Sequence, residues 1–275
     1  KFFEISGLIC SKFSNFNSDY ENLAKVAKKN RINFKFVKNI NEKSNVKWIR
    51  KKNPDFIFCF GWSQIISEEI LKIPNFFSIG YHPSDIPYYR GKHPLIWSIF
   101  LGLKSISSTF FIMSKKIDLG MIISKKKIFL KKNIKARDLY RLIIISAKKQ
   151  VRQILRQIIE GNLKLKKPKE TNLSRLTIMR KRSYIDGVID WRMDASLIMK
   201  LVNSLDYPYP GASFYHNNKE YKLNDCEIIK TSLKLEPGKI IALKKNSPVI
   251  KCGKNALLLK TTNPAINLKV GKFLI

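Results

Sequence analysis

The chain has 275 residues and a formal net charge of +33, from 53 Lys+Arg against 20 Asp+Glu. Hydrophobic residues make up 44% of it, enough to bury one sizeable core and a smaller one, so we expect two domains. The sequence contains no run of about 18 uncharged apolar residues and opens with no signal-peptide pattern. These features exclude a membrane protein, and we expect a soluble protein of the cytoplasm.

Metal and disulfide chemistry are disfavoured by the ligands that the sequence offers. Four cysteines are scattered without pairing or metal-ligand spacing, and only three histidines are present. We therefore expect no metal and a reducing compartment. The basic surplus attracts phosphate groups, whether of nucleic acid or of a nucleotide-linked substrate. Lysine and asparagine are nevertheless spread along the whole chain, as an AT-rich coding bias would produce, so charge alone leaves the partner open.

The first half of the chain alternates strand-like and helix-like segments. Apolar runs predict strands at 2–10, 33–37, 56–60, 76–80, 107–113 and 121–128, and helical patterns cover 22–29, 46–52, 68–71 and 136–160. The run at 56–60 is continuously apolar, which is typical of a strand buried on both faces of a parallel sheet. This alternation predicts an open, mostly parallel α/β sheet with crossover connections.

The second half has a different pattern. Residues 164–182 read as a linker, 195–205 as a helix, and the chain after Pro208-Tyr209-Pro210-Gly211 as short strands separated by turn residues. We expect a small, barrel-like all-β domain. The predicted organisation is an α/β domain over 1–182, a linker and helix over 183–206, and a β domain over 207–275.

The segment from Gly80 to Pro94 carries the most chemical information. It follows a predicted strand and is rich in turn formers, so His82 falls at the carboxyl end of a sheet strand, where open α/β sheets bind ligands. A turn at Asp118-Leu119-Gly120 joins two later strands. A histidine and an aspartate on neighbouring strand ends form an acid–base pair in which the carboxylate orients the imidazole. Taken singly, each residue is better explained as part of an ordinary turn.

This run resembles the signature of the folate-dependent formyltransferases, approximately N-x-H-x-S-L-L-P-x-x-R-G-x-x-P. The positions in register are His82, Ser84, Pro87, Arg90, Gly91 and Pro94, followed by Asp118 and Gly120 of the later D-x-G. The family's C-terminal block is similar to Ile189-Asp190-Trp191 and Pro208-Tyr209-Pro210-Gly211-Ala212. The resemblance implies a Rossmann-like formyltransferase domain followed by an OB-like β domain.

The resemblance also implies roles for individual residues. His82 and Asp118 would be catalytic, 10-formyltetrahydrofolate would be the co-substrate, and no metal would take part. The segments Trp62-Ser63-Gln64-Ile65-Ile66 and Leu119-Gly120-Met121 would bind the folate. The acceptor would be bound by Ser84, Arg90 and Gly91. Trp97 is a further candidate, for stacking on a nucleotide base, although a role as an ordinary core tryptophan explains it better.

Two departures from the family pattern stand out. The family asparagine that donates a hydrogen bond to the formyl oxygen is Gly80 here, and Gln64, Ser78 and Tyr81 are candidates to replace it. The family also opens with a strand and a helix before the strand that we predict at 2–10, so we expect an N-terminally truncated chain.

Three functions remain open. The first is formylation of a nucleotide-linked amino sugar, and the second is formylation of initiator methionyl-tRNA. Residues 11–19 contain one lysine where the tRNA enzymes carry a long basic loop, which favours the sugar. The basic surplus and the β domain favour tRNA. The third is a catalytically inactive RNA-binding homologue, which Gly80 supports. A homodimer is compatible with all three.

Overall fold

The computed structural model describes residues 3–13, 18, 20–115, 118–168 and 178–274. Within these ranges, none of the helices has the length and apolar character needed to cross a bilayer. The chain divides into two compact units. The first unit comprises Lys1–Gly91, Ser107–Ile128 and Ile143–Ile178, and the second comprises Lys92–Ile106, Phe129–Leu142 and Met179–Ile275. Each unit is therefore built from three segments that are separated in the sequence.

Helices and strands alternate in the first part of the chain, and strands predominate at its end. The helices are α1 (Ala24–Lys29), α2 (Lys43–Lys51), α3 (Glu68–Leu71), α4 (Pro94–Phe100), α5 (Ala136–Ile159) and α6 (Ala195–Ser204). The strands are β1 (Leu8–Cys10), β2 (Phe34–Phe36), β3 (Phe56–Cys59), β4 (Phe77–His82), β5 (Arg90–Gly91), β6 (Ser105–Ile112), β7 (Ile122–Phe129), β8 (Ile178–Met179), β9 (Ala212–His216), β10 (Lys219–Ile229), β11 (Ile240–Lys244), β12 (Ser247–Lys251) and β13 (Ala256–Asn263).

A four-stranded sheet in the order β3-β4-β6-β7 forms the centre of the first unit. Strand β3 is parallel to β4, whereas β6 is antiparallel to β4, so this sheet is mixed. Strands β1 and β2 form a separate parallel pair. One apolar cluster, with Val46 and Ile49 of α2, packs against both Ile9 of β1 and Ile57 of β3. A second cluster joins Ile79 and Phe110 of the sheet to Ile154 of α5.

The prediction that the strand at 56–60 is buried on both faces is wrong. All four residues of β3 are half-buried and Phe60 is 52% exposed. Within the described part of the chain, β3 pairs with β4 alone and is the end strand of its sheet. A continuous apolar run indicates the strand correctly, but it does not fix how many neighbours the strand has.

Helix α4 was not predicted from the sequence. It begins at Pro94, directly after His93 in the left-handed conformation with φ 55°. Proline suits the first turn of a helix because its missing N–H would have no partner there and its φ is already helical. In the sequence, however, the density of turn formers from 80 to 94 indicates a continuous loop, which hid the helix.

The second unit contains a five-stranded antiparallel sheet in the order β11-β12-β13-β10-β9. Its core is one contiguous cluster that includes Trp191, Ile198 of α6, Phe214 of β9 and Leu257 of β13. The small all-β domain predicted for the end of the chain is confirmed. The architecture is an α/β unit followed by a β-sheet domain.

Candidate active site

His82 is the last residue of β4, and it lies opposite Thr109 of β6. Because β4 is paired on both sides, its backbone is held in a fixed register. The chain then turns at once, since the Ser84 N–H donates to the His82 carbonyl at 2.9 Å. The imidazole is 13% exposed and is therefore shielded from most of the solvent.

Asp118 lies in the turn between β6 and β7, and its φ of 50° is one that aspartate tolerates better than most residues. Its carboxylate Oδ2 lies 4.0 Å from Nε2 of His82, and the side chain is 17% exposed. The Gly91 N–H donates to the same oxygen at 3.4 Å. The two residues that the sequence separates by 36 positions therefore meet at the rim of the sheet, as predicted.

The position two residues before His82 has no side chain and no room for one. A Cβ built on Gly80 would lie 2.8 Å from Cζ of Phe111 and 2.9 Å from Cγ of Met113. Phe111 is the residue directly opposite Gly80 on β6. The space that an amide side chain would need at this position is thus occupied by a ring and a thioether.

The three candidates to replace the missing amide are all engaged elsewhere. Gln64 accepts from the Ile40 N–H and donates to the Lys38 carbonyl. The Ser78 hydroxyl donates to the Leu71 carbonyl at 3.3 Å.

Tyr81, the third candidate, projects from β4 on the opposite side from His82, because neighbouring strand residues alternate between faces. Its hydroxyl bonds to Oγ of Ser108 at 3.1 Å, and burial raises the pKa of Tyr81 to about 12. Ser108 in turn donates to Gln150 of α5. Tyr81 is therefore part of a buried network behind the sheet, not a group beside His82.

Two predicted acceptor-binding side chains, Ser84 in the loop after β4 and Arg90 in β5, have different surroundings. Ser84 is fully buried, its carbonyl accepts from Thr109 Oγ1 at 2.7 Å, and its hydroxyl has no hydrogen-bond partner among the described residues. Arg90 and Gly91 form β5 and are half-buried. Arg90 is thus the better placed of the two side chains to contact a bound molecule.

The two predicted folate-binding segments differ in their surroundings. Gly61, directly before the first segment, has a φ of +58°. Within that segment, Trp62 packs against the apolar cluster of α2 and α3, while Ile65 is 70% exposed. In the second, a Cβ on Gly120 would lie 1.7 Å from the Ile112 carbonyl oxygen, so only glycine fits this turn. Met121 accepts from the Ile112 N–H at 2.8 Å.

Trp97 belongs to α4 in the second unit. Its indole N–H donates to the Arg180 carbonyl at 3.1 Å, and the guanidinium carbons of Arg180 and Arg182 lie 5.2 and 5.9 Å from the ring centroid. These contacts are cation–π interactions. Binding of an acceptor by Trp97 stays a prediction.

Sequence reasoning missed Phe111 and Met113 as determinants of the site. Their only sequence signal is indirect, because the antiparallel register of β6 on β4 must be known before Phe111 can be placed opposite Gly80. An acid–base pair at the carboxyl end of a sheet strand, with backbone donors beside it, is suited to proton transfer in group-transfer chemistry.

The comparisons with known proteins identify the class. Residues 8–155 match the family described as "Formyl transferase", and residues 181–270 match "Formyl transferase, C-terminal domain". The chain belongs to the formyltransferase family.

Named relatives differ in how much of their length this chain covers. The bifunctional polymyxin resistance protein ArnA of Wigglesworthia glossinidia brevipalpis is 32% identical over 241 residues, which is 86% of this chain and 36% of ArnA. A methionyl-tRNA formyltransferase of Clostridium beijerinckii is 29% identical over 77% of this chain and 67% of that protein. The chain thus spans about a third of one relative and two thirds of the other.

Solved structures agree on the fold. The sugar 3-N-formyltransferase WlaRD, determined in the presence of dTDP and 5-N-formyl-THF, has a TM-score of 0.63 and 20% identity. The match covers 94% of this chain and 88% of WlaRD. At this identity, the likeness establishes a shared fold.

Proposed function

We propose that this chain transfers a formyl group from 10-formyltetrahydrofolate to the primary amine of a nucleotide-linked amino sugar. The observation that carries the proposal is the 4.0 Å approach of Asp118 Oδ2 to His82 Nε2 at the carboxyl end of β4. The pair lies at the positions where the sequence resembles the formyltransferase signature, within the residues 8–155 that match the family. A reducing compartment such as the cytoplasm suits the four free cysteines.

The residues around the two folate segments fit such a co-substrate, which supplies the formyl group. The buried Trp62 Nε1–H has no acceptor among the described residues, and a Cβ on Gly61 would meet open space. The backbone of the Leu119–Met121 turn is fixed by its bonds to Ser114 and Ile112. A flat heterocycle with several polar edges is bound well by such a combination of a donor, an open glycine and ordered backbone groups.

His82 would move the proton in this reaction. The acceptor amine becomes an amide and loses one proton, which the imidazole takes up, while the folate nitrogen gains a proton as its bond to the formyl carbon breaks. Asp118 keeps the imidazole oriented and raises its basicity. The N–H of Gly91 holds the carboxylate in place. Protein groups form no covalent bond to the formyl carbon.

Arg90 is our candidate for binding the acceptor phosphate, because a guanidinium pairs with phosphate oxygens bidentately. The absence of an Arg-Gly cluster in 11–19 favours the sugar over tRNA, although 14–17 and 19 lie outside the described residues. The alternative acceptor is initiator methionyl-tRNA. It is supported by the similarity to the clostridial methionyl-tRNA formyltransferase and by the charge of +33.

The experiment combines the purified chain with 10-formyltetrahydrofolate and, in separate reactions, dTDP- or UDP-linked amino sugars and charged initiator tRNA. We expect formylation of an amino sugar, reduced about 10²–10⁴-fold by His82→Asn. Formylation of tRNA with no turnover of any sugar would reverse the choice of acceptor. Binding of a folate analogue without turnover of either would instead support an inactive homologue, which the crowding at Gly80 favours.

A further inference from the structure

Three consecutive residues of the loop that follows His82 are held by side chains from β6 and β7. The Ser84 carbonyl accepts from Thr109 Oγ1 at 2.7 Å, and Oδ1 of Asp85 accepts from Ser107 Oγ at 3.0 Å. Lys125 of β7 makes two contacts, to Asp85 Oδ1 at 2.6 Å and to the Ile86 carbonyl at 2.8 Å. Thr109 and Ser107 each bond to one residue of the loop in these contacts, whereas Lys125 bonds to both Asp85 and Ile86.

The loop after His82 leads into two further groups of the proposed reaction, the Arg90 guanidinium and the Gly91 N–H. Residues 83–89 connect the end of β4 to β5, where Arg90 is the proposed phosphate ligand and the Gly91 N–H bonds Asp118 at 3.4 Å. Within the loop, the Tyr88 N–H donates to the Asp85 carbonyl at 2.9 Å. A shift at Asp85 therefore moves the turn at Tyr88 and, with it, Arg90 and Gly91.

We propose that Lys125 and Asp85 are positioning residues that fix the loop carrying Arg90 and the Gly91 donor to Asp118. This inference rests on the proposed function for its catalytic consequence. The side chains of Lys125 and Asp85 are 30% and 41% exposed. Neither touches the reacting atoms, and the pair acts through the backbone between 85 and 91.

The contact is a property of this chain rather than of the signature. In the formyltransferase pattern the two residues after the serine are apolar, and here they are Asp85 and Ile86. Ile86 is fully buried, so it keeps the apolar role, whereas Asp85 takes up the bonds to Ser107 and Lys125. The charged Asp85 side chain, bonded to Ser107 and Lys125, thus occupies a position where the pattern has an apolar residue.

The experiment compares Lys125→Met with Lys126→Met, which removes the same charge from the exposed neighbouring position on the same strand. We expect Lys125→Met to raise the KM for the acceptor on the order of tenfold, as loss of a hydrogen bond to a charged group would. The affinity for a folate analogue should stay within about twofold. Lys125→Arg should recover most of the loss.

A cycle with Asp85→Asn tests whether the two residues act as a unit. Each single variant should have a similar effect on the acceptor KM, and the double variant should add little to either. Equal losses in acceptor and folate binding, or full additivity, would show a general destabilisation and overturn the positioning role.

Hydrogen exchange keeps the inference testable if the chain transfers no formyl group. Lys125→Met should accelerate exchange of the Tyr88 and Gly91 amides, and Lys126→Met should leave both unchanged. Unchanged exchange at both amides in Lys125→Met would overturn the inference, whatever the outcome for the proposed reaction.

Discussion

Each of the two units carries a short family signature, and the two signatures serve different purposes. In the second unit, Trp191 and Ala212 of the signature segments are 4% and 0% exposed and lie in the main apolar cluster. In the first unit, His82 and Asp118 are polar, partly shielded and 4.0 Å apart. The second signature is explained by packing, whereas packing does not explain the first, which supports the chemical role that we propose for it.

Directly bonded ion pairs occur in both units, and Lys125–Asp85 at 2.6 Å is one in the first unit. The second unit has carboxylates bonded directly by cations, as in Arg137–Asp206 at 2.5 Å and Lys222–Glu220 at 2.6 Å. The His82–Asp118 contact is longer, and its carboxylate also accepts from the Gly91 backbone.

The largest stability effect should come from the core of the second unit. Phe214 is 1% exposed, and its ring centroid lies 5.6 Å from that of Trp191 and 5.5 Å from that of Tyr221. We expect Phe214→Ala to cost about 3–5 kcal/mol in the free energy of unfolding, because it removes a large buried ring and leaves a cavity. Urea denaturation monitored by tryptophan fluorescence measures this loss.

Phe129→Ala is the matched control, since Phe129 belongs to the same unit but is 72% exposed. It should change the free energy of unfolding by less than about 0.5 kcal/mol. Similar losses in the two variants would mean that the contiguous core is not what stabilises the second unit, and the contrast between the two signatures would fail.

Much of the fold follows from local patterns in the sequence. Helix α3 was predicted over the residues that it occupies, 68–71, and α5 differs from its prediction by one residue. Their apolar periodicity and flanking residues are local signals. The end position of β3 and the existence of α4 were not predicted, because the first depends on strand partners distant in sequence and the second is hidden among turn formers.

The candidate site, like the fold, could be predicted from the sequence in some parts and not in others. His82 and Asp118 could be chosen because each follows a predicted strand within the segments that resemble the family signature. Their approach could not be derived from the strand ends alone, because β4 and β6 are antiparallel and the turn after β6 brings Asp118 to His82. The crowding of Gly80 by Phe111 and Met113 could not be predicted, because it depends on the register between β4 and β6. The same holds for the engagement of Gln64 by residues 38–40.

A smaller loss of stability is expected on substitution of Gly80, which is crowded by side chains of the first unit. In Gly80→Ala the new Cβ would lie 2.8 Å from Cζ of Phe111, so a neighbour must move, and we expect a loss of about 1–3 kcal/mol in the free energy of unfolding. Phe111→Leu removes the atom that makes this contact. The double variant should therefore lose less than the sum of the two single variants.

Thermal or urea denaturation of the four proteins gives the coupling between the two positions. Strict additivity would contradict the crowding, and it would mean that an amide side chain could be placed at Gly80 without changing β6. A favourable coupling would instead make Gly80→Asn with Phe111→Leu the variant in which to look for faster transfer.

The smallest effect should come from the surface cluster of the second unit around Glu220. Its carboxylate accepts from Lys222 Nζ at 2.6 Å and from the Tyr184 hydroxyl at 2.5 Å. The bond from Lys222, then that from Tyr184, lowers the pKa of Glu220 from 4.5 to about 2. Because the folded-state pKa is the lower one, the stabilisation is complete above 4.5 and is lost as the pH falls towards 2.

Glu220→Gln should therefore lower the free energy of unfolding near neutral pH, and this deficit should shrink on acidification to about pH 3. The deficit should stay below about 1 kcal/mol, because the Glu220 side chain is 36% exposed and the pair is screened by water. Urea denaturation at the two pH values measures it, and Lys222→Met should show the same pH dependence. A deficit of equal size at both pH values would assign the stabilisation to the neutral hydrogen bond with Tyr184. The Lys222–Glu220 contact would then not be an example of a carboxylate stabilised by a directly bonded cation.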